Sequence, residues 1–167
     1  KEHKDIEGFA KGYLIRLVDV LKGLDIGQIK SFAEVLERTR EENRTVFIAG
    51  NGGSAATASH MANDLGTDTL KYSGGKSAFR ALALTDNAAV ILAVANDGGY
   101  ENIFVNQLRV HYRKGDLFIG ISASGNSPNV VPESNTSLIV PPPVINGPIF
   151  SRISFLTYNP PIPIGPY

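Results

Sequence analysis

The amino-acid sequence predicts an α/β fold: a parallel β-sheet with helices, preceded by two N-terminal helices and followed by an atypical proline-rich tail. Three observations carry this expectation. Short, almost unbroken apolar runs rich in β-formers recur along the chain, as in strands buried on both faces. Stretches with apolar residues at helical spacing alternate with them, which is the signature of a parallel α/β sheet. Two of the runs end in loops of glycine and serine, at the strand ends where such sheets place their ligands.

Taken in order, Ile6, Phe9, Ala10, Tyr13, Leu14, Leu17 and Leu21 recur at helical spacing with Lys and Arg between them, and Gly23 ends that amphipathic helix. A second helix opens near Asp25, shows Ile29, Phe32, Ala33 and Leu36, and runs into the charged stretch 37–44. Thr45-Val46-Phe47-Ile48-Ala49 reads as a strand buried on both faces, and 54–65 as the helix after it. Past the turn at Gly74-Gly75, Arg80-Ala81-Leu82-Ala83-Leu84 reads as a second buried strand. Helical patterns follow over 88–95 and 100–112, then a turn at Lys114-Gly115-Asp116 and a third strand, Leu117-Phe118-Ile119-Gly120-Ile121. All ten prolines lie from Pro128 onward, and Glu133 and Arg152 are the only charged residues beyond Val131. No long helix crosses Pro141-Pro142-Pro143 or Pro160-Pro161-Ile162-Pro163. Short extended pieces such as 137–140 are the most the tail allows, and a packed arm, a linker and a disordered tail all stand as readings of it.

At 167 residues the chain fits one ordinary domain with a real core. Lys+Arg and Asp+Glu both number 16, so no basic field points to nucleic acid or to an anionic membrane. The chain has no cysteine, which excludes disulfides and thiolate metal sites and suits a cytoplasmic location. No apolar run approaches the ~18 residues of a membrane span, and Lys1-Glu2-His3-Lys4-Asp5 is too charged for a signal peptide.

A phosphate dianion needs several converging donors, and the unpaired N–H groups at a helix N-terminus, aided by the helix dipole, supply them. Gly50-Asn51-Gly52-Gly53-Ser54 offers this chemistry between a strand and a helix. Ser122, Ser124 and Ser127 concentrate hydroxyls at another strand end, with Gly125 among them and a helix expected to follow. The plainer alternative makes the glycines turns and the serines helix caps; two such loops at equivalent positions favour a shared phosphate site. No Lys-Ser or Lys-Thr follows the glycines, which rules out a Walker loop. Gly50 to Ala55 satisfies the loose dinucleotide pattern, but the acidic residue expected ~20 positions on is misplaced, Asp86 standing much further away.

The loops, together with 49–65, Ala83-Leu84-Thr85-Asp86, Asn96-Asp97 and 122–131, make the chain similar to the sugar isomerase (SIS) domain family, and within it to the phosphoheptose isomerases. The likeness covers roughly 1–131, with the N-terminal helices at 1–44, and leaves 132–167 as a separate proline-rich segment. It implies a flavodoxin-like three-layer sandwich in a homotetramer, acting on a heptose 7-phosphate. By motif, Asn51, Gly52 and Gly53 line the substrate; Ser54, Ser122, Ser124 and Ser127, with Ala123 among them, hold its phosphate; and Asn96 and Asp97 contact sugar hydroxyls. In the heptose isomerases a His and a Glu four residues later bind zinc, and the Glu is the base; here those positions are His60 and Asp64. Residues four apart share a helix face, so both can reach one metal. The plainer reading keeps His60 as a packing residue and Asp64 as a solvated charge. The relatives complete the zinc site with a C-terminal Gln and His, but here His occurs only at 3, 60 and 111 and Gln only at 28 and 107. Two functions therefore stand: aldose–ketose isomerisation of sedoheptulose 7-phosphate, and a non-catalytic sugar-phosphate-binding protein acting through a protein partner, as in a relative that binds a replication initiator. A nucleotide-dependent enzyme rests on the glycine pattern alone.

Overall fold

The computed structural model of the chain describes residues 5–130 together with the backbone of 152–156. The extended piece expected at 137–140, and the readings of the tail around it, lie outside the described residues.

Two helices lead in, α1 (Ile6–Lys22) and α2 (Ile26–Glu41). Asp25 caps α2, its carboxylate accepting from the N–H groups of Gly27 and Gln28, so the helix starts where its cap dictates. Next come β1 (Thr45–Gly50), α3 (Gly53–Asn63), a π-helical turn (Asp64–Asp68) and a short α4 (Thr69–Tyr72). The helix expected over 54–65 is thus longer and changes its winding at Asp64. After β2 (Arg80–Ala83) and α5 (Ala88–Gly98), the helix expected over 100–112 divides into a 3-10 turn (Tyr100–Asn102) and α6 (Val105–His111). The third strand, β3, spans Leu117–Ser122, and a fourth, β4, spans Arg152–Leu156.

The sheet order is β2-β1-β3-β4. The three expected strands are parallel, with Val46 paired to both Ala81 and Leu117, whereas β4 runs antiparallel along β3. Every residue of β1 and of β3 is buried, which is why both read as unbroken apolar runs. Their side chains alternate between two cores. Val46, Ile48, Leu117, Ile119 and Ile121 pack with Phe32, Val35 and Leu36 of α2 and with Ala58 and Met61 of α3. Phe47, Ala49 and Phe118 pack on the other face with Ile103, Phe104 and Leu108, and with Ile91, Val94 and Ala95 of α5. Helices on both faces of one sheet make the three-layer sandwich.

The expectation of a buried second strand needs correction. As an edge strand, β2 alternates between exposed and half-buried residues, and Leu82 is 55% exposed. Ala81 packs under α3's face of the sheet. An apolar residue on the outer strand looks the same in sequence as one in the middle.

At the end of the sheet away from the glycine and serine loops, the buried Asp116 ties β1 to β3. One carboxylate oxygen accepts from the Thr45 N–H at 2.8 Å and the other from the Arg113 N–H at 2.8 Å. These bonds fix the registers whose opposite ends carry the loops.

Candidate functional site

At Gly50 the chain leaves β1 and doubles back so tightly that a Cβ there would lie 2.7 Å from Ser54 Cβ and from the Ser54 carbonyl oxygen. Gly52 follows with φ 55° and ψ −121°, a conformation that side-chain-bearing residues avoid, and it is the N-cap of α3. No side chain caps this helix, so Ser54 is not serving as its cap. The first helical bonds run from the N–H groups of Ser54, Ala55 and Ala56 to the carbonyls of Asn51 and Gly52. Gly52 and Gly53 thus stand ahead of the ladder, with their N–H groups at the positive end of the helix dipole.

In the second loop the three hydroxyls converge. The buried Ser122 Oγ donates to Ser127 Oγ at 3.1 Å, lies 3.4 Å from Ser124 Oγ, and accepts from the Gly125 N–H at 3.1 Å. Ser124 Oγ accepts from the Asn126 N–H at 3.3 Å, and Gly125 has φ 70°. Ala123 is exposed between them and brings no side-chain donor. A turn closes the loop, Val130 N–H donating to Ser127 O at 2.9 Å. The helix expected next lies outside the described residues.

Side chains join the two loops. Asn51 Nδ2 donates to Asn129 Oδ1 at 2.9 Å and Asn129 Nδ2 donates to Asn51 Oδ1 at 2.8 Å, a reciprocal amide pair. Tyr100 Oη also donates to Asn51 Oδ1, at 3.0 Å. Asn96 and Asp97 sit exposed at the end of α5, where Asn96 Nδ2 donates to Asp97 Oδ1 at 2.8 Å. The 3-10 turn carrying Tyr100 follows within three residues and brings this segment to the side of Asn51. Sequence reasoning missed Asn129 and Tyr100; the only signal was a lone amide beside the apolar Val130-Val131.

On α3, His60 Nε2 lies 3.3 Å from Asp64 Oδ1, with the side chains 78% and 53% exposed. His60 is therefore no packing residue. Asp64 opens the π-helical turn, whose altered winding carries the Thr69 hydroxyl to the Asp64 carbonyl at 2.9 Å. The 3.3 Å separation suits two ligands of a tetrahedral zinc, which at bond lengths of ~2.1 Å stand roughly 3.4 Å apart. Among the described residues, however, no three His, Cys, Asp or Glu gather as a metal site. The residues present supply two donors and fall short of a four-ligand zinc centre.

Asp86, beyond β2, is engaged by hydroxyls: Ser59 Oγ of α3 donates to its Oδ1, as does Thr85 Oγ1 at 3.2 Å. A carboxylate bonded back to the protein suits a structural tie better than the ribose contact of a dinucleotide site.

A family model described as SIS domain matches residues 12–134. Among curated relatives, the phosphoheptose isomerase of Akkermansia muciniphila is 37% identical over 125 residues, covering 74% of this chain and 65% of the relative. That of Clostridium acetobutylicum is 37% identical over 126 residues, covering 75% and 63%. Two solved structures are similar: a phosphoheptose isomerase from Francisella tularensis (TM-score 0.66, 26% identity, 75% of this chain and 63% of that one) and phosphoheptose isomerase GmhA from Neisseria gonorrhoeae (TM-score 0.59, 33% identity, 74% and 61%). The chain thus spans less than two thirds of the length of these relatives.

Proposed function

Because the chain belongs to the SIS domain family, we propose that its two loops hold the phosphate of a sugar and that it converts sedoheptulose 7-phosphate to D-glycero-D-manno-heptose 7-phosphate. The convergence of the Ser122, Ser124 and Ser127 hydroxyls carries this reading. Neutral donors of that kind, with Ser54 and the uncapped start of α3, suit a phosphate dianion. Ala123 shapes the second loop through its backbone, and Asn51, Gly52 and Gly53 line the sugar, whose hydroxyls Asn96 and Asp97 would bond.

In the proposed reaction Asp64 removes the proton α to the substrate carbonyl. The electron pair forms the C=C bond of an enediol as the carbonyl oxygen takes up a proton, a transfer assigned here to His60. Return of a proton to the neighbouring carbon, with loss of the other enediol hydroxyl proton, completes the exchange of aldose and ketose. Anchoring the phosphate fixes the reacting carbons relative to the base. Were zinc bound as the resemblance implies, His60 and Asp64 would be two of its ligands in place of their roles as acid and base. The described residues do not complete its shell, so the proton transfers are assigned to the side chains alone.

Assembly as a homotetramer is part of the proposal. No residue of α1 is buried, and Ile6, Phe9, Tyr13, Leu14, Val18 and Leu21 lie exposed along it, an apolar face suited to other copies of the chain. Among the described residues no helix is long and apolar enough to cross a membrane. A phosphorylated metabolite as substrate suits the cytoplasm.

The test is turnover of sedoheptulose 7-phosphate by the purified chain, with and without added zinc, beside Asp64→Ala. Turnover that falls at least ~100-fold in the variant supports the reading; full activity in the variant, or no turnover under either condition, overturns it. A second reading, a sugar-phosphate-binding protein acting through a protein partner, is favoured by the two-donor metal site and by Asp at the relatives' Glu position. Binding of the sugar phosphate without turnover would select it.

A further inference from the structure

The Asn51 side chain is engaged by three hydrogen bonds. An amide oxygen has two lone pairs and an amide nitrogen two protons. Both lone pairs of Asn51 Oδ1 are taken, by Asn129 Nδ2 and Tyr100 Oη, and one proton of Nδ2 goes to Asn129 Oδ1. Among the described residues one N–H of Asn51 is left, and its direction is set by the three bonds around it.

The partner that sets it is rigidly held. Asn129 is 5% exposed and lies in the turn that closes the serine loop, two residues after Ser127. Its neighbour Val130 is fully buried and presses on β3 so closely that a Cβ at Gly120 would come within 2.9 Å of Val130 Cγ1. The amide pair therefore joins the first loop, across 78 positions of sequence, to a point fixed against the central sheet.

We infer that Asn129 is a positioning residue: with Tyr100 it locks the Asn51 amide so that its remaining N–H faces a sugar oxygen. This rests on the proposal that both loops hold one sugar phosphate. The division of labour follows from chemistry. Inorganic phosphate needs only the serine hydroxyls and the helix start, whereas the sugar also needs Asn51.

The full chain is compared with Asn51→Ala, Asn129→Ala, their double variant and Tyr100→Phe, using sedoheptulose 7-phosphate and inorganic phosphate as probes in calorimetry. Asn129→Ala should weaken the sugar phosphate about tenfold and inorganic phosphate less than about twofold, and Tyr100→Phe should weaken the sugar phosphate about threefold. The double variant should bind no worse than Asn51→Ala, because Asn129 acts through Asn51. Losses that multiply in the double variant, or equal weakening of both probes, overturn the inference. Solvent exchange of the Asn51 side-chain amide proton bonded to Asn129, followed by NMR without ligand, is the second measurement. Exchange should be slow in the unmodified chain and at least about tenfold faster in Asn129→Ala; equal exchange in the two overturns the inference. Should the unmodified chain bind neither probe, the functional reading falls, and the amide exchange decides the role of Asn129 by itself.

Discussion

The two phosphate loops and the His60–Asp64 pair are built in opposite ways. In the loops the Asn51 and Asn129 amides and the hydroxyls of Ser122, Ser124 and Ser127 have protein partners within 3.4 Å: hydroxyl to hydroxyl, N–H to hydroxyl, amide to amide. His60 and Asp64 stand mostly in solvent and meet each other at 3.3 Å. On the proposed reading, a preorganised binding surface would work with a pair that, among the described residues, is held chiefly by its own contact. Holding the ligand would then be a property of the folded chain, and reaction would depend on what the ligand, a metal or another subunit brings to α3.

That contrast can be broken from either side. Asp64→Asn should show the largest effect, lowering turnover by about 10²–10⁴-fold with almost no change in melting temperature, because an exposed carboxylate adds little stability; steady-state rates beside thermal melts check both halves. Asp116→Ala should act the other way, losing about 2 kcal/mol of stability in urea titrations by stranding the buried Thr45 N–H and freeing that of Arg113. Next comes Gly50→Ala. Its new methyl meets Ser54 backbone at 2.7 Å, so a loss of about 2 kcal/mol and a displaced first loop are expected, read by denaturation and phosphate titration. Ser122→Ala removes the hub of the hydroxyl cluster and should weaken phosphate about tenfold by calorimetry. Smallest is the stability effect of His60→Ala, within about 0.5 kcal/mol; a larger loss would mean the pair is structural and the contrast misplaced.

The same contrast separates what the sequence disclosed from what it hid. The strands β1 and β3 were legible because burial on both faces leaves no room for polar residues, and the ends of those strands because glycine and serine there break the apolar run. The spacing of His60 and Asp64 also follows from sequence, since residues four apart on a helix must meet. Their exposure does not, because a periodic pattern says which residues share a face and not what covers it. Leu82 failed for that reason: strand order is a tertiary fact, and an edge position has no compositional mark when the residue is apolar. The π-helical turn at Asp64–Asp68 was hidden because one extra residue per turn barely disturbs an apolar spacing. Asn129 and Tyr100 were invisible since their partner lies 78 and 49 positions away. A side-chain bond over such a distance exists only after the sheet has formed.

If the chain assembles as proposed, the exposed α1 would tie its folding to concentration. A helix of 17 residues is marginal in water on propensity alone, and no residue of α1 is buried to support it. In the proposed tetramer its stripe of Ile, Phe, Tyr and Leu would be covered by other subunits, and mass action would then govern its folding. Dilution should loosen residues 6–22 while the core around Phe47 and Ile119 stays intact, so that helicity at this one end reports subunit association.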